Sequence, residues 1–86
     1  MTYQRSLSVL EVEVEGKPIL LHTTRWEYME FNVQGAAIWK MLDGPQSLES
    51  LVVQLRMQFE VNEETCQREA SRLLDQLVSS DYVVSQ

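Results

Sequence analysis

The run Glu27-Tyr28-Met29-Glu30-Phe31-Asn32-Val33-Gln34-Gly35-Ala36-Ala37-Ile38-Trp39 changes its hydrophobic period from two to about 3.6 within a few residues. Met29 and Phe31 alternate with Tyr28 and Glu30, as a strand requires. From Val33 onward the apolar residues recur at helical spacing. Asn32 stands at the switch, where its side-chain oxygen can cap the first turn of the new helix. A strand that runs directly into a capped helix constrains how a sheet and its helices dock.

Upstream of this join the chain reads as sheet. Between Val9 and Glu15, Leu10, Val12 and Val14 fall on one face and Glu11, Glu13 and Glu15 on the other. This predicts a half-buried antiparallel strand with its acidic face in water. Gly16-Lys17-Pro18 is the expected turn. Ile19 to His22 is the expected second strand, Thr23-Thr24-Arg25 a connection, and Trp26 to Phe31 the third strand.

Downstream the chain reads as three helices. The first is predicted over Val33 to Leu42, with Ile38, Met41 and Leu42 in the core and Trp39 partly buried; Asp43-Gly44-Pro45 stops it. Ser47 caps the second, whose stripe is Leu48, Leu51, Val52, Leu55 and Phe59. Asn62 caps the third, with Glu63 and Glu64 placed where the helix dipole favours negative charge. Cys66, Ala70, Leu73, Leu74, Leu77 and Val78 form its apolar face, and it ends near Ser80-Asp81. Tyr82-Val83-Val84 is a short tail able to cover the core. The expected class is α+β and winged-helix-like, a three-stranded antiparallel sheet followed by three helices, in one domain over 1–86.

Composition narrows the function. Net charge is −6, with seven Lys and Arg spread along the chain, the wrong balance for binding phosphates. No apolar run approaches the roughly 18 residues of a membrane span, and no signal-peptide core follows the N-terminus. A single cysteine cannot form an internal disulfide, so a reducing, cytoplasmic setting is expected. His22 is the only histidine, reads as a surface or partly buried packing residue, and has no carboxylate or cysteine partner at a recognisable spacing. Cys66 sits on an apolar stripe and reads as a small buried hydrophobe. The glutamate row reads as a solvated strand face, not a cation site, so no catalytic residue, metal or cofactor is expected. One feature suits binding: a third strand at a sheet edge can accept an extended peptide. Against this stand two bland readings, a central third strand or an edge covered by the Tyr82–Val84 tail.

The run from Tyr28 to Gly44 resembles the Y-x-x-L-N-x-x-G/A-A-x-I-W-x-L-L-D-G signature of PqqD-like proteins, the peptide-recognition elements of ribosomal natural-product pathways. Ser47-Leu48-Glu49-Ser50-Leu51-Val52 stands where that family has T-V-E-E-I-V, and Glu69-Ala70-Ser71-Arg72-Leu73-Leu74 where it has D-V-x-x-F-L. Phe31 replaces the usual Leu, and Asp81 stands where the family often has Gly. The resemblance implies a non-enzymatic domain that binds the leader segment of a precursor peptide and presents it to a modifying enzyme. It implies that the leader pairs with the backbone of Glu27, Tyr28, Met29, Glu30 and Phe31, with Tyr28 and Glu30 flanking it. Glu69, Arg72, Leu73 and Gln76 would form the wall on the third helix, with the opposite flank, Gln67 and Ser71, left open. The setting it favours is lasso-peptide biosynthesis, where a separate transglutaminase-like cysteine protease removes the leader. The alternative is pyrroloquinoline-quinone biosynthesis, where such a domain serves a radical enzyme. Rivals of other classes are a DNA-binding winged helix and a dimerisation module that pairs its own strand edge.

Overall fold

The computed structural model describes residues 1–86. The elements are β1 (Tyr3–Arg5), β2 (Val9–Val14), β3 (Lys17–His22), β4 (Tyr28–Glu30), α1 (Val33–Met41), α2 (Leu48–Gln58), α3 (Glu63–Ser79) and β5 (Val83–Ser85). The expected α+β order holds: an antiparallel sheet β2-β3-β4, then three helices. A second sheet, β1 paired antiparallel with β5, adds to it. Three-residue strands carry too little alternation to be read from sequence. No helix is long and apolar enough to cross a membrane.

The β2–β3 hairpin turns one step earlier than expected. Val14 pairs with Lys17, so Glu15 and Gly16 alone form the loop, at φ +53° and +79°. Two positive φ values match the twist of paired strands. Lys17 and Pro18 therefore belong to β3.

This register decides which face of β2 looks inward, and it is not the expected one. Directly opposed residues share a face. Val9 lies opposite His22 and Glu11 opposite Leu20, and both β3 residues are buried. Leu10, Val12 and Val14 thus point outward, 56%, 54% and 47% exposed. Alternation specifies two faces without saying which is covered. Here the deciding partners are polar. The Glu11 carboxylate accepts a 2.8 Å bond from Trp39 Nε1–H and lies 3.6 Å from the Arg5 guanidinium.

The helices follow their caps. Asn32 accepts from the Gly35 N–H at 2.8 Å, Ser47 from Ser50 at 3.1 Å, and Asn62 from Thr65 at 2.7 Å. Leu51, Val52 and Leu55 of α2 and Cys66, Ala70, Leu74 and Leu77 of α3 are buried, as their stripes predict. α1 closes on Leu42, whose N–H bonds the Ile38 and Trp39 carbonyls, and Gly44 takes no left-handed conformation. Trp39 is fully buried, not partly. Phe31 stacks on it at 6.1 Å, and the Arg5 guanidinium lies 4.4 Å from its ring centre.

The inward role of Glu11 is testable by urea denaturation. Glu11→Ala should cost about 1–2 kcal/mol, because it strands a buried indole N–H and removes a partner of Arg5. Glu13→Ala, from the same row, should change stability by less than about 0.5 kcal/mol. Equal effects would place both residues on a solvated face.

Candidate functional site

β4 is an edge strand. In the order β2-β3-β4 it is bonded to β3 on one side and to no strand on the other. The C-terminal tail does not cover it, because Val83–Ser85 pairs with β1. Both bland readings of the third strand are therefore excluded. The strand is shorter than Trp26 to Phe31. Trp26 turns out of it at φ +56° with its ring in solvent, and Phe31 turns in toward Trp39.

The ladder shows which backbone groups are free. His22 N–H donates to the Glu27 carbonyl at 2.8 Å. Antiparallel pairs alternate between bonded and non-bonded. With Leu20 opposite Met29 and Leu21 opposite Tyr28, the bonded pairs are His22–Glu27 and Leu20–Met29. The N–H and C=O of Tyr28 and Glu30 then point away from β3, onto the open edge. Their side chains lie on the outer face, exposed, while the Met29 side chain packs inward against the core.

The end of α3 meets the start of this edge. At the start of β4, Arg25 Nη1–H donates to the Ser80 carbonyl at 3.1 Å, just past the helix. Beyond the end of β4 lies a cavity of about 130 Å³ between α1, α2 and α3. Asn32, Gly35 and Ile38 line one side, Phe59 and Val61 the floor, and Cys66, Glu69, Ala70 and Leu73 the other side. The cavity opens as a groove with the first turn of α1 as one wall and α3 as the other, and β4 leads into it through Phe31 and Asn32.

The residues named from sequence fall unevenly along it. Glu69 and Leu73 line the cavity, whereas Tyr28 and Glu30 are exposed on the edge strand and do not line it. Arg72 and Gln76 are exposed on the neighbouring turns of α3 and do not line the cavity. Glu27 and Phe31 flank β4: the Glu27 carboxylate pairs with Arg25 at 3.3 Å, and Phe31 packs on Trp39. Gln67 and Ser71 lie on the other flank, in a shallow depression with Leu48.

Gly35, Ala70 and Phe59 were not singled out as site residues, and they shape the cavity. For Gly35 and Ala70 the available signal was a small residue among larger apolar ones. A Cβ on Gly35 would stand 3.0 Å from Phe31 Cδ1, so glycine lets the Phe31 ring lie over the helix start.

Two titrating groups bracket the groove. Burial pushes the Cys66 thiol up from its ordinary 9.0; Arg56 opposes this and Glu69 adds to it. Burial also raises the Tyr82 phenol, with Glu27 adding and Arg25 opposing. Neither group suits nucleophilic work, since a raised thiol is mostly un-ionised at neutral pH. No group of three or more His, Cys, Asp and Glu side chains is placed to hold a metal ion. The exposed face of α3 carries Glu63, Glu64, Glu69 and Asp75 against Arg68 and Arg72, which disfavours phosphate contact.

The sequence profile of PqqD, described as coenzyme PQQ synthesis protein D, matches residues 19–83. The chain belongs to the PqqD family. The match spans β3 to β5 and so contains both walls of the groove. No curated protein sequence matches the chain. Two solved structures share the fold of this PqqD-family chain. "TbiB1 in Complex with the TbiA(beta) Leader Peptide" superposes with a TM-score of 0.88 at 20% identity, over 96% of both chains. "Lasso peptide synthetase B1 complexed with the leader peptide" gives 0.83 at 20% identity, over 96% of this chain and 98% of that one.

The raised thiol has a pH signature. The folded state holds Cys66 protonated, so stability is complete below the unfolded thiol value, 9.0, and falls as pH rises through and beyond it. Urea midpoints should drop as pH rises above about 8.5, and Cys66→Ala should flatten part of that drop. An equally steep drop in Cys66→Ala would assign it elsewhere, Tyr82 included.

Proposed function

We propose that this chain binds the leader segment of a ribosomally made precursor peptide and delivers it to a separate leader peptidase. The leader adds as a strand on β4 and packs against α3. The observation that carries this reading is the open backbone of Tyr28 and Glu30 beside an apolar cavity walled by α3. Membership of the PqqD family and the fold shared with two leader-peptide complexes support it. Residues 1–86 act as one binding domain without catalysis of their own; the covalent chemistry belongs to the partner, a transglutaminase-like cysteine protease in a lasso-peptide pathway. The family's description favours a second reading, in which the same groove presents a peptide to a radical enzyme of pyrroloquinoline-quinone synthesis. The fold shared with the lasso peptide synthetase B1 complex favours the lasso setting.

Magnitudes suit a presenting role. Four edge bonds contribute about 0.5–1.5 kcal/mol each, and one aliphatic side chain seated in the cavity about 1.5–3 kcal/mol. An unstructured leader loses part of this gain on ordering. Micromolar affinity corresponds to about 8 kcal/mol, within reach of that sum plus contacts along α3. Such binding holds a substrate and still releases it. Main-chain bonds supply generic strength, and the cavity with the Glu69 and Leu73 flank supplies selectivity. Arg68 and Arg72 add about 0–1 kcal/mol each with acidic leader residues.

Calorimetry and amide shifts with the leader of a precursor encoded beside this gene test the reading. Binding should perturb the Tyr28 and Glu30 amides most. Tyr28→Pro, which removes an edge donor and spares the β3 ladder, should weaken binding by about tenfold or more. Leu73→Asp should do the same by charging the cavity wall. Met29→Pro is a poorer probe, because the Met29 backbone faces β3. A saturating leader that left the β4 amides unmoved would sink the edge-strand mode.

A further inference from the structure

We propose that His22 and Asp81 form a latch that sets the spacing between the two walls of the groove, which makes them positioning residues for the peptide site. The proposal rests on the leader-binding reading. It begins from an anomaly: His22 is 1% exposed, in a core otherwise apolar. Both ring nitrogens are used. Nδ1 lies 3.3 Å from the Arg25 N–H nitrogen and 3.4 Å from that of Thr24, two backbone donors, so it must present its lone pair. The Thr24 hydroxyl lies 3.2 Å away on the same nitrogen. The network therefore assigns the proton to Nε2, which donates to Asp81 Oδ2 at 3.1 Å.

The two ends of this arrangement lead to the two walls, one through β4 to the first turn of α1 and the other back into α3. On one side the ring organises the connection from β3 to β4. Thr24 and Arg25 close onto Nδ1, Trp26 N–H bonds the His22 carbonyl at 3.0 Å, and His22 N–H bonds the Glu27 carbonyl. β4 starts at the next residue. On the other side Asp81 follows the end of α3. Only two side-chain hydrogen bonds join this connection to the turn after α3: His22 to Asp81 and Arg25 to the Ser80 carbonyl. The second is exposed, whereas the first is anchored by a buried ring held edge-on to Tyr82 at 5.7 Å.

Asp81 itself carries a cost that the latch accounts for. Its φ is +61°, in the left-handed region, which disfavours a residue with a side chain. Glycine would relieve that strain. Aspartate stands at a strained position where its carboxylate meets the one buried histidine.

Two substitutions at this position separate the latch from stability. Asp81→Asn and Asp81→Gly both tolerate positive φ, but only asparagine keeps an oxygen for Nε2–H. Asp81→Asn should bind leader within about twofold of the natural chain, and Asp81→Gly about tenfold more weakly. Thermal melting should stay close in all three, since relief of backbone strain offsets the lost bond. Hydrogen exchange of the Glu27 to Glu30 amides should quicken in Asp81→Gly and not in Asp81→Asn. Equal affinity of all three proteins for a leader that the natural chain binds overturns the latch. If the natural chain binds no leader, the peptide reading falls and exchange alone decides the latch: unchanged exchange in Asp81→Gly overturns it.

Discussion

The Trp39 indole is the contact on which the rest of the structure depends. Its ring is 1% exposed and touches every layer. The N–H reaches Glu11 of β2, the carbonyl accepts from Arg5 of β1 at 2.7 Å, and the ring carries Arg5 on one contact and Phe31 on another. Two sheets and a helix thus meet on one side chain. Arg5 has a single unpartnered buried atom, Nε, while its terminal nitrogens are bonded to Trp39 and paired with Glu11. The guanidinium's remaining contacts offset that loss, because charge-assisted bonds are roughly twice as strong as neutral ones. Phe31 directly follows β4, so its stacking on Trp39 anchors one end of the edge strand.

The same contacts explain why one sheet edge, not the other, forms a groove. β2 and β4 are both outer strands. β2 presents Leu10, Val12 and Val14 on its outer face, and on the other face Glu11 is already bonded to Trp39. β4 has the end of α3 tied to its start and a cavity beyond its end. It is pinned at both ends, by the His22–Glu27 bond and by Phe31 on Trp39. A short edge held in this way is ordered before a ligand arrives, which lowers the entropic cost of adding a strand.

What was legible in the sequence was local, and what was missed was relational. Asn32, Ser47 and Asn62 identified three helix starts because a cap acts within four residues. The stripes of α2 and α3 identified core faces because each helix buries one side. The inward face of β2 was misread because alternation carries no sign; the sign came from Trp39 and Arg5, 28 residues downstream and several upstream. His22 looked isolated because Asp81 lies 59 residues away. The free edge was legible as an option, and its neighbour α3 only through the fold. Arg72 and Gln76 illustrate the limit, since helical spacing put them near the groove edge but not on the cavity.

The cavity shows how binding and stability trade against each other in a chain of 86 residues. Gly35, Cys66 and Ala70 leave space where larger residues would fill it. Were the 130 Å³ sealed and dry, it would cost about 3 kcal/mol at the rate found for core truncations. Opening onto the groove lowers that cost, yet it remains appreciable for a domain with a small core. A seated side chain returns the missing contacts, and by mass action a ligand that binds only the folded state stabilises it. Binding and folding then draw on the same unfilled volume. A core left incomplete in this way gives a ligand side chain somewhere to add contacts, while Trp39 fixes Phe31 and the Asn32 cap fixes the first turn of α1 beside it.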